Sequence, residues 1–125
     1  MIEFKVNNDH TAIVITFKDS VDAKQTEQLH DSLQNIIPKL KRGFKLLTDL
    51  SFMEKMDIDA HLSIEKLMQL CNQCKVSQII RIIPDTSKDV GFNIMSMMNY
   101  SPNVNIVTYR STEEALKAMF LKDNI

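Results

Sequence analysis

Glycine and proline are scarce: the 125 residues include 2 glycines and 3 prolines. A chain this poor in both is neither linker-rich nor disordered by composition. With only Gly43 and Gly91 available, it also lacks a glycine-rich loop whose backbone amides close on a phosphate. Cysteine is equally sparse, at 2 residues, which fits free thiols in a reducing cytoplasm. No run approaches the ~20 apolar residues that a bilayer crossing requires. The opening Met1-Ile2-Glu3-Phe4-Lys5 has neither a long apolar stretch nor a small-residue cleavage site, so neither an export signal nor a membrane partner is expected. Charge of one sign is not in excess either. With 15 basic and 16 acidic residues the net charge is −1, which leaves no electrostatic footprint for nucleic acid.

What is present is an ordinary globular composition, 44% hydrophobic and 25% charged, at a length that suits one domain over residues 1–125. Residues 3–17 read as a β-hairpin. Ile2, Phe4 and Val6 alternate with polar residues, Asn7-Asn8-Asp9-His10 supplies turn chemistry, and residues 12–17 are rich in β-branched side chains. The first strand is the more polar and belongs at an edge; the second belongs inside the sheet. A helix follows, opened by Asp22 with Gln25 as a capping box, and Leu29, Leu33, Ile36, Ile37 and Leu40 share one face of it. Pro38 ends or kinks it, and Gly43 closes the segment.

Residues 44–50 form the third strand, and a loop over residues 51–56 leads to a second helix with Ile64, Leu67, Met68, Cys71 and Cys74 inward. Residues 76–83 are a fourth strand, stopped by Pro84-Asp85. A Met-rich helix over about residues 88–99, a fifth strand over 104–109 and a last helix complete the chain. That last helix opens on the capping-box sequence Ser111-Thr112-Glu113-Glu114 and points Leu116, Met119 and Phe120 inward. The order β-β-α-β-α-β-α-β-α predicts an α/β domain. Its five-stranded sheet is mostly parallel with one antiparallel edge strand.

Two stretches carry a resemblance. Lys45-Leu46-Leu47-Thr48-Asp49-Leu50-Ser51-Phe52-Met53 is similar to the apolar strand, ending in Asp-Leu-Ser and an apolar pair, of the STAS family. Ser111-Thr112-Glu113-Glu114-Ala115-Leu116 resembles the opening of that family's final helix. The likeness is nearest to its small bacterial SpoIIAA-like members, the anti-sigma factor antagonists, and spans nearly the whole chain. It implies helices mainly on one side of the sheet and a signalling role through a protein partner such as an anti-sigma factor kinase. In the regulatory members an Asp-Ser-Ser-Gly or Asp-Ser-Thr-Gly-like motif at the start of the second helix carries a phosphorylated hydroxyl. Here Met56-Asp57-Ile58-Asp59-Ala60-His61 stands there, after a short insertion Glu54-Lys55-Met56. Ser51 falls too early and Ser63 too deep, so no phosphorylation is expected.

A helix start favours anions. Asp57 and Asp59 either cap the second helix or form an acidic, partner-facing tip. Phe52, Met53 and Met56 in the adjoining loop, with Met95 and Met98 of the Met-rich helix, extend an expected partner-binding surface. Homodimerisation through that apolar patch is a second expectation. The alternative function, from another class, is a small-ligand carrier or sensor with an apolar pocket between the sheet and the Met-rich helix.

The remaining constellations point away from chemistry. Cys71-Asn72-Gln73-Cys74 sits near a helix C-terminus, where a thiolate is disfavoured, and no second cysteine pair completes a metal site. The two cysteines read as core. Asp49, Glu54, Asp57 and Asp59 crowd one loop without a nucleophile or a metal-binding histidine pair, so no catalytic residue, cofactor or metal is expected. A receiver-like reading of Asp19 and Asp22 lacks the lysine after the last strand, which ends Thr108-Tyr109-Arg110. Arg81 interrupts Ile79-Ile80-Arg81-Ile82-Ile83 and must find a partner or water. It is expected to approach Asp49 or to reach solvent beyond the sheet edge.

Overall fold

The computed structural model describes residues 1–83, 95, 96 and 98–123, with side chains up to residue 117. Five strands form one sheet in the order β1 (Ile2–Val6), β2 (Ala12–Val21), β3 (Lys45–Met56), β4 (Gln78–Ile82) and β5 (Asn105–Tyr109). β1 pairs antiparallel with β2, and every later pair is parallel. The α/β class and the antiparallel edge strand are therefore as the element order predicts. The hairpin turn closes on Asn7, whose Oδ1 accepts from the N–H groups of Thr11 and Ala12 at 2.9 and 3.0 Å. That is the local side-chain bonding that makes Asn a turn residue.

Helices α1 (Ala23–Leu33) and α2 (His61–Gln73) cover one face of the sheet. Ile13, Ile15, Phe17, Leu46, Leu50 and Ile79 from the strands meet Leu29, Leu33, Ile64, Leu67, Met68 and Cys71 from the helices in the main core. The opposite face has a small cluster, Leu47, Ile80 and Ile82, under Ala115 of α3 (Thr112–Asp123). So the sheet carries most of its helical cover on one side. α1 opens on a complete capping box: Asp22 Oδ1 accepts from the Gln25 N–H, and Gln25 Oε1 accepts from the Asp22 N–H, both at 2.9 Å. α3 is capped by the Ser111 hydroxyl, which accepts from the Glu114 N–H at 3.2 Å. The Glu114 carboxylate reaches back one residue further than a capping box requires, to the N–H of Arg110.

Three expectations are corrected. Residues 51–56 are not a loop but the second half of β3, paired with β2 as far as Val21↔Met56. The register steps from Thr16↔Asp49 to Lys18↔Phe52 and from Asp19↔Met53 to Ser20↔Lys55, so β3 carries two residues more than β2 over this stretch. β-Bulges absorb the two extra residues, one upstream of Phe52 and one within the insertion that the sequence shows, and the strand continues. Leu116 is 52% exposed while Ala115 is fully buried, so α3 packs its alanine on the sheet and turns its leucine outward. Met119 and Phe120 lie beyond the described side chains, as Phe92 and Ile94 lie outside the described residues. Arg81 does not approach Asp49. β3–β4 register sets Thr48 opposite Arg81 and Asp49 opposite Ile82, so alternation puts the two charges on opposite faces. Nor does Arg81 reach water: it is 1% exposed.

Candidate functional site

The C-terminal ends of β2 and β3 and the start of α2 make one end of the molecule. The Asp57 N–H donates to the Val21 carbonyl at 2.9 Å, which ties the strand exit to the end of β2. A 3-10 turn over Ile58–Ala60 then leads into α2. It is held from below by Thr26 of α1, a 1% exposed residue whose hydroxyl lies 3.2 Å from the Ala60 carbonyl. Sequence reading missed Thr26, because nothing local signals a contact 34 residues away.

Neither aspartate caps the helix. The residue at the α2 cap is Ala60, with no side-chain hydrogen bond, and Asp57 at the head of the 3-10 turn makes none either. Asp57 and Asp59 are both exposed, and neither holds an ion pair among the described residues. Between and beyond them stand two large apolar side chains in water, Ile58 at 84% exposure and Leu62 at 61%. Leu62 carried a signal in the sequence: at about 100° per residue it falls roughly opposite the inner face of Ile64, Leu67, Met68 and Cys71. We refer to residues 57–62 as the tip.

The expected partner-facing residues separate into three groups. Phe52 is 61% exposed, Met98 is 75% exposed, and the two aspartates are free at the tip. Met56 is half-buried against the main core. Met53 and Met95 are buried, at 5% and 4% exposure, and belong to that core rather than to a surface. The bulge before Phe52 sets which of Phe52 and Met53 faces outward. Their partners Lys18 and Asp19 are successive residues of β2, and successive strand residues face opposite ways. Met98 borders Asn99, whose Oδ1 accepts from the Gln69 amide of α2 at 2.9 Å. Met97 lies outside the described residues.

No free hydroxyl stands at the start of α2. Ser63 is 8% exposed and faces the core, and the half-buried Ser51 is still inside β3, its N–H donating to Asp49 Oδ1 at 2.9 Å. Beneath the helices, Arg81 donates from Nη2 to the Ser96 hydroxyl, beside Tyr100 and Thr48. The described residues around them enclose a cavity of about 20 Å³, walled by Ile15, Phe17, Leu46, Leu67 and Met68. That volume suits one water and is far below the several hundred Å³ of a small-ligand pocket. Burial pushes the Tyr100 hydroxyl well above its usual range, and the Cys71 thiol up to about 12, with Cys74 adding to the latter. Such a thiol is a packing group, not a nucleophile. Among the described residues no cluster of three His, Cys, Asp or Glu is placed to hold a metal ion, and no helix is long and apolar enough to cross a membrane.

No family model and no curated protein matches the chain. Solved structures do. The anti-sigma factor antagonist SpoIIAA, in its unphosphorylated form, superposes with a TM-score of 0.68 at 11% identity, over 96% of this chain and 98% of that one. An uncharacterized Shewanella loihica protein with a SpoIIAA-like fold gives a TM-score of 0.68 at 13% identity, over 94% and 91%. An anti-sigma factor antagonist from Mycobacterium paratuberculosis gives 0.56 at 15%, over 94% and 93%. The sheet order, the antiparallel edge strand and the helices on one face are thus those of a known architecture: the chain has the SpoIIAA-like, STAS-type fold.

Proposed function

We propose that this protein is a non-catalytic interaction module of the anti-sigma factor antagonist type that docks a protein partner without a phosphorylation switch. The observation that carries the reading is the tip. Ile58 stands in water between carboxylates that make no cap bond and, among the described residues, no ion pair; Leu62 stands exposed beyond them, and the nearest serine of α2 faces the core. Exposed apolar side chains flanked by charge mark interaction surfaces. Permanent carboxylates at a helix start supply the negative charge that a phosphate would otherwise add and remove. The partner that fits presents an apolar pocket with cationic residues at its rim, and an anti-sigma factor kinase is the class the fold suggests. Phe52 and Met98 extend the contact on neighbouring elements.

A photo-crosslinking residue placed at Ile58 tests this in the native cell. It is expected to yield a discrete protein adduct that disappears with Leu62→Asp and with Asp57→Asn plus Asp59→Asn. An adduct unchanged by those substitutions, or stoichiometric phosphate on Ser51 or Ser63 in protein purified from cells, overturns the reading.

A further inference from the structure

The charges of the described residues are segregated along the strand direction. β2 to β5 run parallel, so the segments leading into them share one end. Lys39, Lys41, Arg42 and Lys45 before and at the start of β3, and Lys75 before β4, gather there against Asp9 of the hairpin turn and Asp31 in the last turn of α1. Backbone hydrogen bonds knit these segments together: the Gly43 N–H donates to the Lys75 carbonyl at 2.8 Å, and the Lys41 N–H to the His10 carbonyl at 2.9 Å. Lys39, Lys41, Arg42 and Lys75 are exposed, and no ion pair among the described residues holds them. At the other end Asp19, Asp22, Glu54, Asp57, Asp59 and Glu114 outnumber Lys24, Lys55 and Arg110 among the described residues, with Lys18 paired to Glu3 and Lys117 to Glu113. β3 runs 12 residues between the two ends. At ~3.3 Å per residue that is roughly 40 Å, several Debye lengths of ~8 Å at physiological salt, so the ends do not neutralise each other within one molecule.

Some of the cations complement the negative C-terminal ends of α1 and α2, which point the same way. The shape of this end goes further. An open cleft of about 400 Å³ has Val76 and Val104 for its apolar lining, with Arg42 and Lys75 beside them. Lys75 holds its place with φ +68°, just past the end of α2, where glycine is the usual choice. The half-buried Val104, with the edge of the largely buried Val76, beside two cations complements Asp57-Ile58-Asp59, an exposed isoleucine between two carboxylates.

We propose that the chain assembles head to tail, the tip of one copy entering the Arg42/Lys75 cleft of the next. Ile58 packs on Val104, and Asp57 and Asp59 meet Arg42 and Lys75. The contact joins two different surfaces, so it propagates into open chains or closes into a ring and does not make a two-fold dimer. The inference rests on the tip being a docking element, as the proposed function does, and gives it a second occupant, another copy of the chain.

Sedimentation velocity on the full chain tests it with reciprocal charge swaps. The wild type is expected to sediment as concentration-dependent oligomers at ~20 mM salt and as a monomer at ~0.5 M, where the screening length falls below ~5 Å. Arg42→Glu with Lys75→Glu, and Asp57→Lys with Asp59→Lys, are each expected to be monomeric alone. An equimolar mixture of the two regains the oligomers, because each swapped end then finds its complement. A wild type that stays monomeric throughout overturns the proposal, as do oligomers that either swap leaves unchanged or a mixture that does not reassemble. The Arg42/Lys75 variant leaves the tip untouched. A failure of self-assembly with the Ile58 adduct intact therefore refutes this contact alone, whereas loss of the adduct's dependence on the tip refutes the proposed function.

Discussion

Thr26→Val removes the one hydroxyl that ties α1 to the base of the tip. The side chain keeps its shape and volume, and at 1% exposure no water replaces the lost donor. The hydroxyl lies 3.1 Å from the Ala23 carbonyl and 3.2 Å from the Ala60 carbonyl. A neutral intramolecular hydrogen bond of this kind is worth about 1 kcal/mol net, so the midpoint of thermal unfolding is expected to fall by about 3–5 °C for a domain of this size. The local consequence is the sharper test. Backbone amides over residues 61–64 are expected to exchange about fivefold faster in native-state hydrogen exchange, the factor that about 1 kcal/mol buys in a local opening equilibrium. Thr26→Ser is the control. It keeps the hydroxyl and deletes a buried methyl, at about 1 kcal/mol of global stability, and leaves the relative protection of residues 61–64 as it was. Equal protection of these amides in Thr26→Val and Thr26→Ser would refute the claim that α1 positions the docking element.

Asp22→Ala removes the side-chain half of the α1 capping box, the Oδ1 that accepts from the Gln25 N–H, and is expected to lower unfolding free energy by about 1 kcal/mol in a urea titration; no change in midpoint would mean the cap is redundant. Ser96→Ala takes the hydroxyl acceptor from the buried Arg81 and is expected to cost about 2 kcal/mol by the same measurement, since hydrogen bonds to buried charged groups are the stronger ones. Cys71, raised to about 12 from an ordinary 9.0, keeps its proton in the folded state while the unfolded chain loses it. Stability from this group is therefore complete below pH 9 and falls as pH climbs from there toward about 12, by roughly 1 kcal/mol per pH unit. Cys71→Ala is expected to flatten that alkaline slope, leaving the part that Tyr100 contributes, and an unchanged slope would exclude Cys71 as its source. In the native protein at pH 8, the half-buried Cys74 is expected to react with iodoacetamide and Cys71 to resist until unfolding, which mass spectrometry of the alkylated peptides resolves.

Strand and helix identity was legible in the chain because local periodicity and local caps decide it. The alternation Ile13, Ile15, Phe17, the Asp22/Gln25 pair and the spacing of Ile64, Leu67, Met68 and Cys71 each name their element and buried face without reference to anything distant. Their order also limits the topology, since parallel strands need crossovers and a short turn forces an antiparallel pair.

What the chain alone left undecided depends on pairings between strands far apart in sequence. The insertion at residues 54–56 is visible in the sequence, yet only pairing with β2 makes residues 51–56 a bulged strand rather than a loop, and the extra residue between Asp49 and Phe52 sends Phe52 outward and Met53 into the core. A one-residue difference in register likewise separates Asp49 from Arg81, because side chains alternate across a sheet with a period of two. Net charge is fixed by composition at −1, but its division into a cationic end and an acidic end follows from which strand termini the parallel fold collects together. Periodicity is a property of neighbours along the chain; register and charge segregation are properties of neighbours across it, and only folding brings those into being.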